Sequence, residues 1–110
     1  MKSYSVDRAK WSKMTFFEQM GNIYSEVGRS FDARQQGLDE KKELAVYRAI
    51  DLFDATIEDL KNKKSGRVKE VLIAKGHFLS NINDKTPDEN DTASLDRYFL
   101  EFAIAARRNR

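Results

Sequence analysis

Three carboxylates, Asp51, Asp54 and Glu58, stand at spacings of 3 and 4, with Asp59 beside them and Arg48 one turn earlier, so on a helix they form one acidic face headed by a guanidinium. Asn22, Glu26 and Arg29 repeat the pattern nearer the amino terminus. Inward acids and bases on facing helices can build a metal or acid–base site, or a buried network that sets how the helices register. The di-iron chemistry of helical bundles needs two Glu-x-x-His pairs and two further glutamates, whereas this chain has one histidine. Glu70 and His77, seven apart, have no second pair. No metal and no cofactor is therefore expected. Asn22, Glu26, Arg29, Arg48, Asp54 and Asp59 are read as a candidate polar network, with register as its first role and catalysis its second.

Other chemistries find less support. Cysteine is absent, which closes disulfides, thiolate metal sites, iron–sulfur clusters and cysteine nucleophiles. No serine lies in a Gly-x-Ser-x-Gly elbow, and neither Gly-x-x-x-x-Gly-Lys nor Gly-x-Gly-x-x-Gly occurs. Asp84, Asp88, Glu89 and Asp91 lack the spacing of a calcium loop, so a solvated loop is the plainer reading. An enzyme accordingly ranks third among the functional readings, with no catalytic residue assigned.

The elements that must carry these residues are helical. One Pro and five Gly in 110 residues favour long uninterrupted helices over a turn-rich β fold. Thr15 and Glu18 form a capping box that opens a first helix, whose stripe of Phe16, Met20, Ile23, Val27 and Phe31 is widened by Phe17 and Tyr24. Gly37 supplies a left-handed stop and Asp39 a new cap. The second helix carries Val46, Ile50, Phe53, Ile57 and Leu60, flanked by Ala45, Ala49, Leu52 and Thr56, and ends near residues 62–65, where Ser65 and Gly66 break it. A third, from about Gly66 to Ile82, is expected to bury Val68, Val71, Leu72, Phe78, Leu79 and Ile82. After the loop at 83–91, Asp91 or Thr92 caps a fourth, with Leu95, Tyr98, Phe99, Phe102 and Ala106 facing inward. The expected fold is all-α: one domain over residues 1–110, an up-down-up-down antiparallel four-helix bundle joined by short loops, preceded by an arm at residues 1–13.

Antiparallel connectivity sorts the charge. The net balance is only +2, too even to mark a nucleic-acid binder by itself. The bundle, however, brings residues 1–13, the turn at 58–70 and the carboxyl terminus to one end, where the charges sum to +7, and leaves −5 at the other. Lysines and arginines at helix carboxyl ends complement the macrodipole, but Lys10, Lys13, Arg67 and Lys69 at amino ends oppose it. Lys61, Lys63, Lys64, Arg67, Lys69, Arg107, Arg108 and Arg110 are thus candidate contacts for an anionic partner such as nucleic acid.

Four helices cannot hide all eleven Phe and Tyr side chains together with Trp11. Phe17, Tyr24 and Tyr47 lie at the edges of their stripes, where they suit a helix-face homodimer. Trp11, ahead of the first cap, is read as a plug over the bundle end before it is read as a base-stacking platform. The first reading of function is a non-enzymatic interaction or accessory protein that self-associates as a dimer and meets a protein partner; the second is a nucleic-acid-associated bundle. No spanning segment of about eighteen apolar residues occurs, and the amino terminus lacks the apolar run of a signal peptide, so no membrane association and a cytoplasmic location are expected.

The segments Trp11 to Ile23, reading WSKMTFFEQMGNI, and Ser25 to Arg29, reading SEVGR, resemble those of a family of small, uncharacterised prokaryotic all-helical proteins. Arg48 to Asp59, RAIDLFDATIED, Arg67 to Glu70, RVKE, and Tyr98 to Arg107 are similar to the family's later blocks. The resemblance spans most of the chain and implies a helical-bundle fold without implying an activity. It draws attention to Asn22, Glu26, Arg29, Arg48, Asp54, Asp59, Arg67 and Glu70.

Overall fold

Thr15 opens the first long helix as its sequence requires: the Thr15 hydroxyl accepts from the Glu18 amide at 3.1 Å while the Glu18 carboxylate accepts from the Thr15 amide at 2.9 Å. A computed structural model describes residues 5–108. Five helices occur among them: α1 (Arg8–Ser12), α2 (Phe16–Gln35), α3 (Asp39–Asn62), α4 (Val68–Ile82) and α5 (Glu89–Arg108). The chain is all-α, with one short helix more than the four expected.

That extra helix replaces part of the expected arm. The Asp7 carboxylate caps α1 by accepting from the Lys10 amide, and Trp11 turns inward as part of the core. Residues 1–4 of the arm lie outside the described residues.

Three helix ends differ from expectation. Gly37 adopts φ +72° and closes α2 as foreseen, with the Leu38 amide donating to the Ala33 carbonyl at 2.9 Å. Asp39, however, is the first residue of α3, and Leu38 ahead of it makes no side-chain cap. The end of α3 is set by Lys64 at φ +55°, not by Ser65 and Gly66, with the Ser65 amide reaching back to the Leu60 carbonyl. At α5 the cap is Asp88, whose carboxylate accepts from the Asn90 amide at 2.8 Å, so Asp91 and Thr92 stand inside the helix with their side chains available for other bonds.

Packing centres on α2, which lies extensively against α3 and α5; α4 rests on α3 and less closely on α2 and α5. Gly21 permits the α2–α5 approach, because a Cβ there would stand 3.3 Å from Ala103 Cα. Arg34 near the other end of α2 meets Thr92, so the two helices run in opposite directions. An unbroken chain of ring contacts, at centroid separations of 5.1 to 6.1 Å, links Phe31, Phe78, Phe53, Phe99, Tyr98, Phe102 and Phe16 through the core. In α4 the expected inner face is corrected at one position: Val71, Phe78 and Ile82 are buried, but Leu72 is half-exposed beside Ile73. Val68, Val71, Leu72, Ile73 and Ala74 are apolar nearly all round the helix, so periodicity alone could not orient it.

Candidate functional site

Polar side chains converge where α1, α2 and α3 meet. The Trp11 indole N–H donates to the Thr56 hydroxyl at 2.9 Å. The Gln19 amide nitrogen donates to the Trp11 carbonyl and to Asp59 Oδ2, both at 2.9 Å. Lys63 Nζ donates to the same Asp59 oxygen at 2.8 Å and to the Ser12 carbonyl at 2.9 Å. Asp59 and Gln19 are buried, and Gln19 Oε1 has no hydrogen-bond partner. Outside this cluster Arg8 bonds Asp51 at 2.9 Å and approaches Glu58 at 3.5 Å; the Asp51 hydrogen bond raises the Arg8 pKa. The Trp11, Ser12 and Arg8 contacts join α1 to α2 and α3, while the Gln19–Asp59 and Lys63–Asp59 bonds hold the receiving side together, so the cluster acts as a latch on α1.

The six candidate network residues are therefore distributed over separate contacts. Glu26 is buried and takes a hydrogen bond from Arg29 at 2.8 Å, and both line one groove with Arg48 between α2 and α3. Asp54 instead pairs with Lys75 of α4 at 2.7 Å. Asn22 donates to the Glu18 carbonyl, one turn back on its own helix. Asp59 belongs to the α1 latch. The structure thus brings Glu26, Arg29 and Arg48 together and leaves Asn22, Asp54 and Asp59 apart from them.

A second cluster, not singled out from the sequence, binds α2, α4 and α5 at the opposite end. Arg34 donates to the Asn81 carbonyl at 2.7 Å, to its side-chain oxygen at 3.0 Å and to Thr92 at 3.3 Å. Asn81 donates in turn to Asp91 and Thr92, both at 3.0 Å, and His77 Nε2 lies 3.0 Å from the other Asp91 oxygen. Burial lowers the Arg34 pKa, while hydrogen bonds from Asn81 and then His77 lower that of Asp91. The only local signal for this cluster was an arginine late in α2; its partners lie 47 and 58 positions away.

The basic candidates share one end but not one environment. Lys63 is committed to Asp59, and Arg67 stacks over Phe16, its guanidinium carbon 4.6 Å from the ring centroid, while approaching Glu70 at 3.3 Å. Glu70 also accepts from the Tyr98 hydroxyl at 3.0 Å; burial and that carboxylate raise the Tyr98 pKa. Lys61, Lys64, Lys69, Arg107 and Arg108 are exposed. Arg110 lies outside the described residues.

Two further grooves run between helices. One, of about 490 Å³, separates α4 from α5 over Ile73, Ala74 and Leu95, with His77 and Tyr98 on its rim. The other, of about 630 Å³, lies between α2 and α5 over Gly21, Ser25, Gly28 and Ala103, with Leu100 and Ile104 on its edge. Among the described residues no group of three or more His, Asp or Glu could hold a metal ion, and no helix is long and apolar enough to cross a membrane. No protein-family model, curated protein or solved structure matches the chain.

Proposed function

We propose that the protein acts through contact rather than catalysis, as an interaction or accessory protein that associates with itself. In this reading the helices form an up-down-up-down bundle to which α1 adds a plug; the resemblance to small prokaryotic helical proteins supports a prokaryotic origin, and a cytoplasmic location is part of the same proposal. The observation that carries the proposal is the pairing of exposed apolar side chains on three helices: Leu44 with Tyr47 on α3, Leu72 with Ile73 on α4, and Leu100 with Ile104 on α5. Single exposed apolar residues are ordinary. Leu44 and Tyr47, three apart, and Leu100 and Ile104, four apart, each share one helix face, and exposed apolar side chains grouped in this way support a contact surface. Sedimentation equilibrium of the 12.8 kDa chain should give twice the monomer mass; a monomer at all concentrations up to about 100 µM, the limit for weak association, would overturn the self-association.

A second reading is favoured by the exposed Lys61, Lys64, Lys69, Arg107 and Arg108 at one end. If they contact phosphates, binding to mixed RNA and DNA should fall steeply between about 50 and 200 mM salt, with a logarithmic slope of about −0.9 per phosphate on duplex DNA. Salt-insensitive or absent binding would remove this reading and leave the first untouched.

A further inference from the structure

The helix ends that carry the basic residues meet at one end of the fold. Lys63 donates to the Ser12 carbonyl, which brings the end of α1 to the end of α3, and Arg67 covers Phe16, which brings the start of α4 to the start of α2. Phe102 meets Phe16 and Ala103 meets Gly21, so the last turn of α5 runs past the start of α2. The carboxylates at this end are engaged within the chain. Asp7 and Glu18 cap helices, Glu58 faces Arg8, Asp59 holds Gln19 and Lys63, and Glu70 takes Arg67 and Tyr98; Glu101 stays exposed. The cations are left over. Lys10 and Lys13 beside α1, Lys61 and Lys64 at the end of α3, and Arg107 and Arg108 at the end of α5 are exposed and have no carboxylate partner among the described residues. Lys69 has none either, although it stands in the first turn of α4, where the helix dipole disfavours a cation.

The partner such a surface fits is set by what lies among its cations. A protein partner needs an apolar centre that can be desolvated, and a bilayer surface needs apolar side chains beside the charges; here the exposed large apolar side chains begin a turn behind, at Leu72 on α4 and Ile104 on α5. An unpaired nucleic-acid strand is held by bases stacked on exposed rings, but Trp11 is buried, and Phe16 and Phe17 are half-buried with the Arg67 guanidinium over both rings. A duplex requires neither feature, because its dense phosphates are met by cations alone. Helix ends and turns form this surface, so nothing is shaped to lie along a groove, and most of its cations are lysines, which lack the fork that reads a base edge. The latch on α1 contributes directly. Lys63 is neutralised by Asp59, and by donating to the Ser12 carbonyl it fixes the end of α1, which sets Lys13, with Lys10 three residues before it, at the same end as Lys61 and Lys64.

We propose that this basic end binds the phosphate backbone of double-stranded nucleic acid without reading its sequence, and that α1 supplies part of the site through Lys10 and Lys13. The inference rests on the second reading above and names its ligand. The test is fluorescence anisotropy of labelled mixed-sequence duplex DNA, duplex RNA and their single strands, titrated with the full chain between about 50 and 200 mM salt. With about five phosphates contacted, affinity for duplex DNA should fall about 500-fold over that range. A duplex of unrelated sequence should bind within about threefold of the first, and single strands at least about tenfold more weakly. Binding of either duplex supports the site, and the two arms tell DNA from RNA. Lys10→Gln together with Lys13→Gln, both exposed, should weaken duplex binding at least about tenfold and flatten the slope of log affinity against log salt by about 1.8. Lys85→Gln, exposed in the loop between α4 and α5, should change neither. Circular dichroism confirms that the variants stay helical. Single strands bound as tightly as the duplex, or a slope indifferent to the Lys10 and Lys13 changes, would overturn this site while leaving nucleic-acid association standing. No binding to any of the four probes at about 50 mM salt, or binding only to vesicles of phosphatidylserine and phosphatidylcholine, would overturn both.

Discussion

Trp11 of α1 and Thr56 of α3 are joined by a 2.9 Å hydrogen bond across 45 positions of sequence, and both side chains are buried. The indole fills the end of the core, and its N–H, which would be costly to leave unpaired there, finds the Thr56 hydroxyl on the facing helix. The amino-terminal segment is therefore part of the folded unit.

Truncating Trp11 removes both the plug and the bond. Trp11→Ala should destabilise the chain by about 3–5 kcal/mol. Thr56→Val, which keeps the volume but orphans the indole N–H, should cost about 1–3 kcal/mol. Urea unfolding of the two variants measures the difference; equal losses would mean that the hydrogen bond, not the packing, holds α1.

Lys64 holds a left-handed conformation, φ +55°, where α3 ends. A side chain there is disfavoured by about 1–2 kcal/mol relative to glycine. Lys64→Gly should raise stability by about 1 kcal/mol, read as a shift in the urea midpoint with an unchanged slope. It should also reduce any phosphate binding at the basic end, separating the residue's conformational and electrostatic contributions.

Two glycines inside helices should respond oppositely to alanine. At Gly21 the new methyl would stand 3.3 Å from the Ala103 backbone, forcing α5 outward, for a loss of about 1–3 kcal/mol. At Gly76 a Cβ meets nothing within 4 Å, so helix propensity alone acts and stability should rise by about 1 kcal/mol. Thermal unfolding of both variants checks the pair of signs.

Stability should fall at high pH through Tyr98. Its folded pKa is raised by burial and by Glu70, so its contribution is complete below the unfolded value of about 10 and is lost as pH climbs from there toward the folded value. Tyr98→Phe should flatten the alkaline limb of melting temperature against pH. Asp91 has the opposite sign: hydrogen bonds from Asn81 and His77 lower its folded pKa. Its contribution is present above the unfolded value of about 3.9 and disappears as pH falls through the folded one. Asp91→Asn should blunt the acid limb without touching the alkaline one.

The polar residues flagged by spacing were informative about burial and less so about partnership. Glu26 and Asp59 are buried, and Glu26 does meet Arg29, three residues away on its own helix. The Asp59 contact to Gln19 spans 40 positions and the Asp54 contact to Lys75 spans 21, distances over which spacing carries no information. Arg34, Asn81 and Thr92 were missed for the same reason, since each looks like an ordinary helix residue until three helices are brought to one corner.

What the sequence by itself determined is whatever lies within one or two turns: the Thr15–Glu18 box, the left-handed Gly37, and the buried stripe of Met20, Ile23, Val27 and Phe31. Caps and amphipathic periods depend on neighbours three and four residues apart, so the local chain contains the whole cause. Only the tertiary structure decided that Trp11 enters the core, that Leu72 faces out of an α4 apolar nearly all round, and that Gly21 is crowded while Gly28 is open. Those outcomes depend on how each helix is rotated and how closely its neighbour approaches. Rotation and approach are set by the summed packing of side chains far apart in the chain, a balance no single segment contains.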